Sequence, residues 1–517
     1  MSEQEPKVSR PKVVLAAMTA ANAMLLIDQT AVPLTLPDIM DEFHVGAESA
    51  QWVVNASLLM LAGLLVLGGR LGDQLGRRKV FIVGAALFAG ASAVGGLAPE
   101  FGFLLAARAV QGVGGALMLP VSVAIVGASF SSKDSGRALG TMGGIAAVAG
   151  ALGPTIGGVL TSALSWRFVL LVNVPLAIVC VVLTLRSVPA DEPRAERVHI
   201  DISGSVLLCI ALIGLVFGLS QTQSQPFDAV TVYGPVTVGA VAAAAFLLRE
   251  RRARNPLMDL SLLRRSPNYL GATLSQGVAG MLEMGLGVIF PLVLILNLGM
   301  SPALAGLALI PTTVPMVLVA PLAGRWYDRA GGRAPLVSGF AVLAVAGGSL
   351  AWGVHEMTYL WLLPGLLLYG LGLALVLTVN DPVSLDMVAP ADHGQASGVS
   401  ATAEQGGGAI GIALLYSIVH TVYVGRLHVD IDRSSLADLT DAQYARLRAG
   451  IEAAEQTGLN WDRFDPSLRA YLEAADNAST RGYTAAFAFV SIIALVGLAA
   501  TGLLVRRAPA VESAATI

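Results

Sequence analysis

The sequence predicts an all-α integral membrane protein of fourteen transmembrane helices, built as two parallel-repeat six-helix bundles plus two inserted helices. Three observations carry this. The 517 residues are 55% hydrophobic and only 13% charged, with mean hydropathy +0.71, whereas a soluble domain carries about a quarter charged residues. Fourteen apolar runs approach the roughly 20 residues that a helix needs to cross about 30 Å of hydrocarbon. A charged, glycine-rich string in the first half returns in the second.

The apolar runs begin near Val13, Gln51, Val80, Phe101, Ala138, Trp166, Ile202, Val230, Pro267, Pro302, Pro335, Tyr359, Ala396 and Tyr483. Met1 to Lys12 is polar, and the run after it lacks a cleavage site, so the first span acts as its own uncleaved insertion signal. Orientation follows from Lys and Arg in short loops. With the N-terminus inside, the inner segments hold Lys7, Arg10, Lys12, the Arg70 to Lys79 cluster, Arg249 to Arg265, Arg325 to Arg333, Arg506 and Arg507, while the short outer loops hold only Arg167. Both termini are therefore expected to be cytoplasmic, in a multi-pass protein of the cell's inner (plasma) membrane. The expected organisation is a tail over 1–12, a first bundle over 13–188, a linker with two extra helices over 189–250, a basic linker over 251–265, a second bundle over 266–505, and a tail over 506–517. An outer loop over 424–481 has seven arginines and ten acids and reads as a solvated helical hairpin. Cys180 and Cys209 lie in apolar runs and read as free thiols.

The repeated strings are "GGRLGDQLGRRKVF" (Gly68 to Phe81) and "AGRWYDRAGGR" (Ala323 to Arg333). Gly69, Asp73, Gly76 and Arg78 match Gly324, Asp328, Gly331 and Arg333, each 255 positions later. "QGVGGALML" (Gln111 to Leu119) returns as "YGLGLALVL" (Tyr369 to Leu377), offset 258. Parallel repeats about an axis normal to the membrane are a transporter architecture, with the substrate at the midplane between halves. Each string then reads as a latch between rocking bundles. Glycine permits a tight backbone. Asp73 and Asp328 can cap a helix start. Arg77, Arg78 and Arg333 can pair with acids across the bundle interface.

These residues resemble the major facilitator superfamily, and its fourteen-helix drug:proton antiporter branch. "GRLGDQLGRRK" looks like the superfamily's cytoplasmic signature, "RAVQGVGGA" (Arg108 to Ala116) like its fourth-helix signature, and "GALGPTIGG" (Gly150 to Gly158) like the fifth-helix signature of antiporters. "SWRFVLLVNVP" (Ser165 to Pro175) resembles the start of the sixth helix. "LIDQTAVPLTLPDI" (Leu26 to Ile39) resembles the first helix of this branch, with Pro33 where the family usually has Asn. The resemblance implies multidrug or antibiotic efflux by alternating access, driven by the proton gradient with no cofactor.

Ionisable groups at the bilayer centre cost about 2.5–3.5 kcal/mol each on insertion scales and so mark functional positions. Asp28, Arg108, Glu283 and Glu404 are the candidates for proton coupling and substrate binding. Asp28 and Arg108 fall at similar depth on the first and fourth spans and can pair. Glu283, in "GMLEMGLG", has no basic residue on its span and is a candidate to gain and lose a proton. Glu404 sits beside Gly407 and Gly411, whose small face lets helices approach. Asp381 reads as a boundary group. On the fifth span, Gly150, Gly153, Pro154, Gly157 and Gly158 read as a hinge, because proline removes a donor and glycine removes bulk.

The expected partners are protons, membrane lipids and a small lipophilic, cationic substrate, with no nucleic acid; the chain is expected to be a monomer. The alternatives are a proton-coupled importer of a small metabolite, and an exporter of an endogenous lipid or natural product. The sequence shows no H-E-x-x-H string, no P-loop and no nucleophile–base pair, so neither an enzyme nor an ATP-driven pump is expected, and no metal site.

Overall fold

A computed structural model describes residues 10–130, 132–191, 202–221, 229–253, 263, 266–385, 393–433 and 469–506. Every regular element in these residues is helical. The first bundle comprises α1 (Pro11–Ala31), α2 (Trp52–Leu75), α3 (Arg77–Gly96), α4 (Phe101–Ser129), α5 (Ser132–Ala163) and α6 (Asn173–Ser187). The inserted pair is α7 (Ile202–Gln221) and α8 (Val230–Arg252). The second bundle comprises α9 (Pro267–Leu292), α10 (Ile310–Ala330), α11 (Arg333–Gly353), α12 (Tyr359–Leu385), α13 (His393–Arg433) and α14 (Arg469–Leu504). Short helices at Leu36–Phe43, Arg167–Leu171 and Pro302–Ala308 extend α1, precede α6 and precede α10.

Among the described residues, thirteen helices are long and apolar enough to cross a membrane, and α5 supplies a fourteenth as a pair of segments, Thr141–Gly150 and Leu152–Ala163, bent by 41°. The bend has a local cause. Pro154 has no N–H to give to Gly150 O four residues earlier. The Thr30 hydroxyl of α1 lies 2.7 Å from that carbonyl and 2.8 Å from its own Leu26 O, so it can fill the gap. Fourteen crossings bring the start of α1 and the end of α14 to one face, the terminal face; the other is distal.

The segment expected as an outer helical hairpin is helical at both its described ends. Residues 424–433 continue α13 and residues 469–481 open α14; residues 434–468 lie outside the described part.

Each bundle has its own apolar core. Met18, Met24, Phe81, Phe88 and Met118 fill the terminal half of the first; Leu336, Phe340, Leu343, Phe487 and Val490 fill the second. A third cluster joins the bundles near the distal face, where Ala31, Val32, Leu36, Val54 and Leu58 meet Val288, Leu292, Ile412 and Ala413. Leu34 is fully enclosed within the second bundle's core.

The repeated turn is confirmed as a repeated geometry. Gly76 and Gly331 end α2 and α10 with φ of 104° and 73°, a backbone that side chains other than glycine resist. The latch chemistry differs from the expectation. Arg78 Nη2 donates to Leu185 O of α6 at 2.9 Å, and Arg333 Nη2 donates to Gly502 O of α14 at 2.7 Å. In both halves the arginine thus ties the start of the third helix to the end of the sixth within one bundle, not to acids across the interface. Arg77 also reaches a carbonyl of its own bundle, Ala124 O at 3.2 Å. The acid that caps α3 is Asp191, which accepts from the Arg78 and Lys79 N–H groups at 3.1 and 2.9 Å. The side chains of Asp73 and Asp328 lie outside the described part. Gly69 packs on the Pro120 ring, 3.5 Å from where a β-carbon would stand.

Candidate functional site

The four membrane charges fall into two unlike groups. Asp28 and Arg108 form an ion pair of 2.7 Å, with exposures of 2% and 1%. Both are sealed inside the first bundle. Arg108 also donates to Val53 O at 2.7 Å and to Gln111 Oε1 at 2.6 Å. Asp28 Oδ1 accepts from Gln111 Nε2 at 2.9 Å and from Asn173 Nδ2 at 2.8 Å. Ser92 Oγ completes the group, accepting from Gln111 Nε2 at 2.7 Å. The network therefore joins α1, α2, α3, α4 and α6.

The pairing expected of Asp28 and Arg108 is present. Both oxygens of Asp28 are occupied by bundle donors, and almost none of its surface is open in this conformation. Buried charges persist only when paired and hydrogen-bonded in this way. Gln111, Ser92 and Asn173 were not singled out by the sequence. A polar side chain on each of three otherwise apolar spans was the available signal.

Glu283 and Glu404 lie on α9 and α13, which pack with small residues at the contact. A β-carbon on Gly407 would stand 3.1 Å from Gly277 Cα, and one on Gly411 would stand 2.6 Å from Met281 Cα. This is the close approach expected of Gly407 and Gly411, and it puts Gly280 against the Glu404 backbone. Glu283 Oε2 is buried without a hydrogen-bond partner. Its neighbour Tyr369, on α12, donates to the Glu283 main-chain oxygen at 3.3 Å and not to the carboxylate. Glu404 accepts from Gln276 Nε2. Neither glutamate has an ion pair among the described residues. Glu404 lies within electrostatic reach of both Glu283 and Asp381, and Asp381 accepts from Ser400 Oγ at 3.2 Å. Next to these acids, Gln29 of α1 donates to Gln405 of α13 at 3.4 Å, a polar contact between the bundles.

The glycines of α5 serve two neighbours. Gly150, Gly153 and Gly157 seat α1; a β-carbon on Gly157 would stand 2.8 Å from Ala31 Cα. Gly158 and Pro154 face the short helix Pro302–Ala308 of the other bundle. Bent helix, intrabundle seat and interbundle seat thus coincide at the expected hinge.

This fold and these membrane charges define a multi-pass membrane transporter. Residues 18–412 match the description Major Facilitator Superfamily. The chain belongs to that superfamily, and it is a transporter, not an enzyme. It is 34% identical over 422 residues to the tetracenomycin C resistance and export protein of Streptomyces glaucescens, covering 78% of this chain and 75% of that one. It is 32% identical to the multidrug resistance protein Stp of Mycobacterium tuberculosis, covering 80% and 76%. The multidrug efflux pump LfrA of Mycolicibacterium smegmatis is 29% identical, with 96% and 97% covered. Among solved structures, a bacterial homolog of the human lysosomal transporter Spinster, inward-facing and unoccupied, aligns with a TM-score of 0.67 at 15% identity, covering 97% and 99%.

Proposed function

We propose that this transporter exports lipophilic, cationic drugs or antibiotics in exchange for protons, by alternating access, across the plasma membrane with both termini cytoplasmic. The observation that carries the reading is the Glu283 carboxyl, which has a buried, unpartnered oxygen and, among the described residues, no ion pair, with Glu404 close enough to feel its charge. A deprotonated pair attracts a lipophilic cation; a protonated pair does not. One carboxylate site that favours two mutually exclusive ligands produces exchange, because each ligand shifts the states in opposite directions. Met281 and Met284 beside Glu283 supply adaptable apolar contact. Selectivity from such contacts is only about 1–3 kcal/mol per group, which suits a broad substrate range. The proton gradient is the driving force, the monomer is the working unit, and membrane lipids are the surrounding partners. Asp28 and Arg108 act here as the organisers of the first bundle. Relatives named for drug resistance and efflux support the export direction.

A second reading, export of an endogenous natural product, is favoured by the relative named for tetracenomycin C export. The site chemistry is the same in both readings. The test is a vesicle assay with an acid interior. Ethidium added outside should drive protons out of vesicles holding the wild type, and Glu283→Gln should abolish that efflux. Equal efflux in the two would remove Glu283 from the exchange.

A further inference from the structure

The two bundles touch near the distal face along two seams, and the polar groups of the seams differ. At one, α5 meets the short helix Pro302–Ala308, and the polar groups are bonded. Thr155 Oγ1 donates to Gly306 O at 2.9 Å, and the Ala303 N–H donates to Ser162 Oγ at 3.0 Å. At the other, α2 meets α13. Val66 packs with Val399 there, and a β-carbon on Gly398 would stand 3.3 Å from Val66 Cγ2. Asn55 precedes Val66 by about three helical turns and shares its face, and Gln51 lies one turn beyond Asn55. Around them the seam is apolar, with Val54 and Leu58 of α2 in one cluster with Ile412 and Ala413 of α13.

Gln51 and Asn55 are 1% and 0% exposed. Neither amide has a hydrogen-bond partner, on its nitrogen or on its oxygen, among the described residues. Buried polar groups are normally hydrogen-bonded, so an exception calls for a reason. An apolar side chain of the same shape would close the seam without that desolvation cost. The repeat does not demand amides either, because the residues 255 positions later are Gly306 and Ile310.

The reason lies in what the amides meet when the seam parts. The inserted α7 covers the seam along its length. Phe217 packs on Trp52, ring centroids 5.8 Å apart. Leu212 Cδ2 lies 3.2 Å from where a β-carbon on Gly406 would stand, and Leu207 and Leu208 pack with Val66 and Val399. A seam covered in this way opens to the solution at the distal face and not to lipid tails, so water fills it. Inward along the same face of α13, Gln405 adjoins Glu404.

We propose that Gln51 and Asn55 line the distal exit of this transporter, and that their unmet hydrogen bonds bias the closed α2/α13 contact toward opening. This rests on the export reading above, which requires the distal contact to part. With the seam closed both amides are dry and unpaired. With it open they are hydrated, and cargo leaving Glu283 and Glu404 passes them. A two-state equilibrium is shifted only by a group whose free energy differs between the states, and the dry amides are such groups.

The test uses the full chain in detergent, with Cys180→Ser and Cys209→Ser removing the native thiols. Ile412→Cys is the reporter, because Ile412 is buried in the closed contact and a charged maleimide reaches it when the seam parts. In this background Asn55→Leu and Gln51→Met keep the shape and delete the amide. Each should raise the unfolding midpoint and slow labelling by about tenfold. In vesicles each should slow ethidium export, with ethidium binding in detergent close to wild type. Asn55→Asp places a charge in the same dry position and should speed labelling. Lowered midpoints in Asn55→Leu and Gln51→Met would mean that the amides hold the contact shut, through a bound water, and would overturn the proposal. Wild-type labelling in all three variants would also overturn it. If the wild type exports no ethidium, the export reading fails by itself, and the labelling comparison still decides whether the amides open the seam.

Discussion

Asp28 and Glu283 stand at the same place in the two halves, separated by the 255-residue offset that relates the two turns. Their surroundings are opposite. Asp28 has an arginine, a glutamine and an asparagine on its two oxygens. In the second half, Tyr369 takes the place of Gln111, and Leu366, three residues earlier, takes the place of Arg108. Leu366 is 1% exposed and offers no charge. Tyr369 turns its hydroxyl to a main-chain oxygen. A duplicated scaffold has thereby separated two uses of one position. In the first half the acid fastens five helices together. In the second it has no ion pair among the described residues, which is what the proposed exchange of a proton for a cargo requires.

The strongest way to break this comparison is Arg108→Leu, which copies the second half into the first. It leaves a carboxylate buried without its cation, a loss of about 3–5 kcal/mol. Thermal unfolding in detergent should show a sharply lower midpoint or no folded protein; an unchanged midpoint would mean that the pair holds nothing together. The reverse exchange, Leu366→Arg, gives Glu283 the partner that Asp28 has. Overpacking should cost about 1–3 kcal/mol, and ethidium-driven proton movement should fall by about tenfold or more. Folded protein with wild-type exchange would contradict the comparison.

The next contrast is one of sign. Asp28→Asn leaves the buried Arg108 without its carboxylate and should lower the unfolding midpoint by the equivalent of about 3–5 kcal/mol. Glu283→Gln removes a buried carboxyl whose Oε2 has no partner, so its midpoint should hold or rise. The smallest effect belongs to Tyr369→Phe. It deletes one 3.3 Å bond to a carbonyl, and the midpoint should move by no more than about 1 kcal/mol.

Much of the fold was legible in the sequence because lipid imposes a strict rule. Backbone polar groups must be satisfied within each segment, so helices follow from apolar length alone. The positive-φ glycines Gly76 and Gly331 were legible because a fixed spacing repeated. The Asp28–Arg108 pair was legible from depth on two spans. What the sequence hid was direction. Arg78 and Arg333 read as interface cations, yet they reach main-chain carbonyls of their own bundles, and carbonyls leave no mark in a sequence. Asp191, which the sequence did not single out, caps α3 from 113 and 112 residues away. The depth of Asp28 was visible in the sequence, and its glutamine and asparagine partners, on α4 and α6, were not. The covering role of α7 depends on which seam it joins, and apolar periodicity carries no such information.

The central claim is that cargo and proton compete for the carboxyls of the second bundle. The most direct measurement is proton release on ethidium binding, read with a pH indicator on weakly buffered, detergent-solubilised protein. The wild type should release protons and bind ethidium more tightly as pH rises. The double variant Glu283→Gln/Glu404→Gln should release none, while folded Asp28→Asn should still release them. Wild-type release from the double variant, or release lost only in Asp28→Asn, would contradict the account.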